Sequence, residues 1–181
     1  MTIAPARDFT VLLPPGWVRI PLDGDEGARM SAIVTAKVAD VPQPQREQVR
    51  QRLITVLRDT LRSARNVGGL DVLVSLGEVR GVPIAASCLV TYLERGGKVP
   101  LEGLHAELAR DDGLVTWTEI AGSRAVRRRH ADASATMVDF FVPVPGRPGL
   151  LSLSFGTIIE PLAEPLVMLF DAIAGSLRWQ S

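Results

Sequence analysis

The chain has 181 residues, 20 Lys and Arg against 20 Asp and Glu for a formal net charge of zero, and 46% hydrophobic residues. This is the composition of one globular domain over residues 1–181, long enough to bury a core unaided. One cysteine and two histidines exclude a disulfide framework and leave too few ligands for a typical structural zinc site, while the balanced charge argues against a dedicated nucleic-acid binder.

In chain order, Met1 to Leu13 lacks the positive segment and apolar run of a secretory signal and reads as mature protein, so the expected location is cytoplasmic. Phe9 to Leu13 alternates as a strand, and Pro14-Pro15-Gly16 stops it because two prolines remove ladder donors; Trp17 to Ile20 resumes it. Met30, Ile33, Val34, Val38 and Val41 recur at helical spacing and predict a helix over Glu26 to Ala39. A second helix starts at Pro44, carries Val49, Leu53, Val56, Leu57, Leu61 and Ala64 as one stripe, and ends at Gly68-Gly69.

Two paired strands, Val72 to Leu76 and Ile84 to Leu93, are separated by a turn with Gly81 and Pro83. Ile84 to Val90 is apolar on both faces, as in a central strand covered on two sides. Leu101, Leu104 and Leu108 mark a short helix after Pro100. Strands at Val115 to Ile120, Ala125 to His130, Ala135 to Val142 and Leu150 to Phe155 are spaced as an antiparallel meander. Thr157 and Glu160 have the spacing of a capping box, and Leu162, Leu166, Leu169, Phe170, Ile173 and Leu177 stripe the last helix. Pro161 fits a first turn, and Pro165 tightens or bends it. Glu164 and Asp171 interrupt this most apolar region, so no membrane span is expected.

The inventory of chemistry is thin, and no cofactor or metal is expected. His105 reads as a half-buried packing residue. His130 ends Arg127-Arg128-Arg129-His130, where Asp132 is the only nearby carboxylate to orient it as a base. Cys88, mid-strand among apolar residues, reads as inert core. Asp23, Asp25 and Glu26 lack the later ligands of a calcium loop, and Asp111-Asp112 fits a turn. Gly96-Gly97-Lys98 lacks the P-loop pattern and reads as a turn. Trp17, Trp117 and Trp179 read as packing anchors.

Charge is the uneven feature. On the second helix Arg46, Arg50, Arg52, Arg58, Arg62 and Arg65 face only Glu47 and Asp59, which makes this element basic in a neutral protein. Arg124, Arg127, Arg128 and Arg129 form a second group. Successive strand residues point to opposite faces, so this strand is expected to be exposed or near an edge. Arg46, Arg50, Arg58, Arg62, Arg127 and Arg129 are therefore the candidate partner-binding residues, for an acidic partner or one presenting an apolar segment. Aromatic residues are only 5% and are not interleaved with these arginines, which excludes a stacking platform for nucleic acid.

Phe9-Thr10-Val11-Leu12-Leu13-Pro14-Pro15-Gly16-Trp17 resembles the first strand and Pro-x-x-Trp turn of the Mog/PsbP-like superfamily, which includes LpqN-type lipoproteins and bacterial secretion chaperones. Leu151-Ser152-Leu153-Ser154-Phe155, with Phe170 to Trp179, resembles its last strand and C-terminal helix. The resemblance implies an α+β fold: an α/β/α sandwich around a central, mainly antiparallel sheet of about six strands. It also implies a superfamily whose members mostly bind proteins and lack catalytic residues. It carries no functional residue over to this chain. The first reading is thus a non-catalytic adaptor or chaperone-like module. A small-molecule-binding protein or small enzyme is the competing class; it needs a deep pocket near His130, Asp132 or Glu119. A homo-oligomeric structural component is the third.

Overall fold

The computed structural model describes residues 8–39, 41–79, 82–94, 101–111, 113–131 and 134–180. The first strand, β1 (Phe9–Thr10), is short, and Pro14-Pro15-Gly16 turns the chain into β2 (Trp17–Pro21). The Trp17 N–H donates to the Pro14 carbonyl at 3.1 Å, and Gly16 sits at φ +84°. This is a type II turn, with proline pre-setting its second position and glycine supplying the positive φ of its third. A Cβ on Gly16 would also lie 3.0 Å from the Gly77 Cα, so the close approach requires glycine too.

Two helices follow, α1 (Glu26–Val38) and α2 (Gln43–Asn66), then β3 (Gly69–Ser75), a small hairpin of β4 (Glu78–Val79) and β5 (Val82–Pro83), and β6 (Ala86–Glu94). After α3 (Leu101–Leu108) come β7 (Leu114–Ile120), β8 (Ser123–Ala131), β9 (Thr136–Pro143) and β10 (Gly149–Thr157), the expected meander, each antiparallel to the next. A 3₁₀ turn (Glu160–Leu162) enters α4 (Ala163–Gly175), and β11 (Arg178–Trp179) closes the chain.

The main sheet has seven strands in the order β2-β3-β6-β10-β9-β8-β7, all antiparallel. Several local expectations are corrected. β1 does not continue into β2; it pairs with β11, Phe9 opposite Trp179, which brings the two ends of the described chain together. β2 is instead the seventh strand of the sheet. The capping box does not form, because the Thr157 hydroxyl donates to the Ala85 carbonyl and accepts from the Ile159 N–H. The arginine-rich strand β8 does lie near an edge, as expected, with only β7 outside it. Gly81, Gly96-Gly97-Lys98, Asp112 and Asp132 lie outside the described residues.

Helices cover both faces. On one face α4 buries Leu166, Phe170 and Ile173 against Leu73, Cys88, Phe140, Leu153 and Phe155. Phe170 stacks on Phe155 at 4.9 Å between centroids and meets Trp17 edge-on at 6.3 Å. On the other face α1 and α2 bury Val34, Val38, Leu57, Leu61 and Ala64 over Ile20 and Val72. The same row of this face runs through Leu89, Ser154, Asp139, Arg128 and Val115, so it turns polar as it leaves the shelter of α2. α3 covers its far end, where His105 stacks on Trp117.

Candidate functional site

α2 has an inner and an outer side. Leu53, Ile54, Leu57, Leu61 and Ala64 face the sheet and α1. Val49 and Val56, expected in that stripe, are turned outward at 39% and 55% exposure. With Arg52 they occupy i, i+3 and i+7 positions, a ridge along the exposed side. Arg58 and Arg62, one turn apart, are exposed beside it, and only Asp59 approaches, at 3.8 Å from Arg62. Arg50, Arg52 and Arg58 have no carboxylate partner among the described residues, and Arg50 is half-buried.

The other candidate arginines are engaged within the fold. Arg46 donates to the Val41 and Ala39 carbonyls at 3.1 and 3.0 Å, clamping the turn between α1 and α2. Arg65 pairs with Glu26, a carboxylate that is itself buried. Burial is the largest single influence and raises the Glu26 pKa, but the Arg65 hydrogen bond and charge, together with the backbone N–H groups of Glu26 and Gly24, outweigh it and hold the carboxyl below its usual range.

On β8, next to the edge strand, the alternation is as anticipated. Arg127 and Arg129 project toward α4, where Arg127 grips Asp171 with two hydrogen bonds of 2.6 and 3.1 Å and Arg129 pairs with Glu164. Arg128, on the opposite face, reaches Asp111 at 3.4 Å. Two arginines two residues apart on a strand match two acids seven apart on a helix. The match becomes informative only once α4 is known to pack on β8. Arg127 and Arg129 lie on the α4 face of the sheet and α2 lies on the other, so the structure does not bring these candidate arginines into one surface.

The other candidates do not converge. His130 Nδ1 lies 3.6 Å from Asp139, a carboxylate on β9 that the sequence reading missed. Glu119 is at the opposite end of the β7–β8 hairpin from His130 and borders an open hollow of about 550 Å³ with Ala121, Gly122, Gly175, Arg178 and Trp179. Cys88 is wholly buried, which pushes its thiol pKa well up. Among the described residues no group of three or more His, Cys, Asp and Glu is placed to hold a metal ion, and no helix is long and apolar enough to cross a membrane.

The class defined by this architecture is an α+β protein with a seven-stranded antiparallel sheet covered by helices on both faces. Among solved structures, the crystal structure of the Ran-binding protein Mog1p of Saccharomyces cerevisiae is similar to this chain, with 11% identity and a TM-score of 0.47 over 95% of this chain and 90% of that one. No family model and no curated protein matches the sequence.

Proposed function

We propose that the protein is a non-catalytic, Mog/PsbP-like binding module, acting in the cytoplasm, whose outer α2 surface docks an acidic partner protein. The observation that carries this reading is the contrast between arginines. Those at positions 19, 29, 65, 124, 127, 128, 129 and 147 each meet a carboxylate within the fold, whereas the exposed Arg52 and Arg58 have no carboxylate partner among the described residues and lie beside the exposed Val49 and Val56. A partner segment with carboxylates flanking small apolar residues complements such a ridge: its charges steer association and its apolar residues bury the valines. The kinship is supported by the motif-bearing stretches 9–17 and 151–155 with 170–179, the first and last of which meet in the fold through β1 and β11.

The test is affinity capture from native lysate with the wild type and with Arg52→Glu, Arg58→Glu and Arg62→Glu combined, at low and high salt. These side chains are exposed, so folding should change little. A stoichiometric protein retained by the wild type at low salt, released at high salt and absent from the variant is expected. Equal retention by the variant removes this face from the function.

A further inference from the structure

Of the two edges of the main sheet, β2 ends in Pro21, and Arg19 reaches beside it to donate to the Phe9 carbonyl at 3.3 Å. Among the described residues the other edge has no such protection. β7 is Leu114-Val115-Thr116-Trp117-Thr118-Glu119-Ile120; all seven residues are in register with β8 on the inner side, and none is paired on the outer side among the described residues. It contains no proline, glycine or lysine and only one charge, and Leu114 is 61% exposed. Sheet proteins usually blunt a strand of this kind with charge, a bulge or a covering segment.

We propose that this edge pairs with the same edge of a second copy of the chain, antiparallel about Trp117, so that one sheet runs through a two-fold axis. The occupant follows from the sequence of the strand itself. In that frame Leu114 of one copy lies opposite Ile120 of the other, and Thr116 opposite Thr118, on the α4 side. Val115 lies opposite Glu119, and Trp117 opposite its own copy, on the α3 side. Leu–Ile, Thr–Thr and Trp–Trp are pairs of the kinds that stabilise antiparallel sheets, and the remaining Val–Glu pair opposes no like charges. Charge selects this frame further. Val115 is in register with Arg128 on β8, so Glu119 of each copy enters a row that contains the other copy's Arg128, whereas a pairing centred on Glu119 would oppose two carboxylates. The surface is isologous and closes at two copies. It lies on the sheet edge farthest from β2 and does not depend on the α2 reading.

The first experiment is sedimentation equilibrium of the wild type, diluted about a hundredfold from about 100 µM. A mass of twice 19.5 kDa at the top of the range, falling toward the monomer on dilution, is expected; a monomer throughout overturns the proposal. The second locates the contact. Thr116→Cys and Thr118→Cys are made as separate variants and oxidised mildly, each alone and mixed together. Directly opposite Cβ atoms are about 5 Å apart and diagonal ones about 7–8 Å, beyond the reach of a disulfide. Only the mixture should give a linked dimer, since residue 116 of one copy faces 118 of the other, and the wholly buried Cys88 supplies no competing thiol. A dimer that fails to link in the mixture, or that links equally in either variant alone, places the contact elsewhere and overturns the proposal.

Discussion

Ala121 holds a backbone conformation that its side chain disfavours. With φ 52° at Ala121 and 73° at Gly122 between the paired residues Ile120 and Ser123, the β7–β8 connection is a two-residue type I′ turn. That turn needs left-handed geometry at both positions, which suits Asn-Gly and costs an alanine roughly 1–2 kcal/mol. Ala121→Gly removes the steric term but adds chain entropy in the unfolded state, and Ala121 makes some contact with the core. A net gain of about 0.5 kcal/mol is expected, and in a chain of this size that raises Tm by roughly 1–2 °C. A fall in Tm on calorimetry would show that the core contact outweighs the strain.

Within α4, Phe170 joins the helix to the sheet by touching both Phe155 and Trp17 with no exposed surface. Phe170→Ala leaves a cavity between those rings and should cost about 3–5 kcal/mol, lowering Tm by roughly 10 °C. Met168→Ala, on the solvent side of the same helix at 73% exposure, should leave Tm within about 2 °C, because surface substitutions usually stay within about 0.5 kcal/mol. The pair of thermal melts separates burial from helix propensity. The same burial pattern explains what could be read from the sequence. The helices and the β7–β10 meander were legible because each carries its own apolar period and turn residues. β11 was not, since two residues have no period, and its partner Phe9 is distant along the chain. The outward turn of Val49 and Val56 was equally hidden: both continue the helical spacing of the buried stripe, and only the width of the surface that α2 covers decides which are left out. Of the candidate surface, the basic character of α2 was visible, whereas the engagement of Arg46, Arg127 and Arg129 was not, because it depends on which element folds beside each.

At the scale of the whole molecule, paired charges tie the layers together although the net charge is zero. Glu26 on α1 is bound by Arg65 on α2, and Glu164 on α4 by Arg129 on β8; Arg29 holds Asp23 at the entrance to α1. Burial works against ionisation at Glu26, but the Arg65 hydrogen bond and charge and the Glu26 and Gly24 backbone N–H groups together prevail; the hydrogen bond from Arg129 lowers the Glu164 pKa, and that from Arg29 holds Asp23 at about 2. A carboxyl whose folded pKa lies below its unfolded one binds fewer protons when folded, so its contribution is complete above the unfolded value and disappears as pH falls through the folded value. For these groups the loss begins near the ordinary glutamate value of 4.5 and extends to about 2, where Asp23 takes up its proton. The urea midpoint should therefore be nearly flat from about pH 7 to about pH 5 and fall below that, without a maximum tied to zero net charge. Glu26→Gln is the discriminating variant. It loses the charged pair at neutral pH, so its midpoint starts lower, and it has one carboxyl fewer to protonate, so its midpoint falls less steeply and approaches the wild type in acid. Parallel curves across the whole range would mean that the Glu26–Arg65 pair contributes nothing pH-dependent, and that the junction of α1 and α2 rests on its apolar contacts and on the Arg46 clamp.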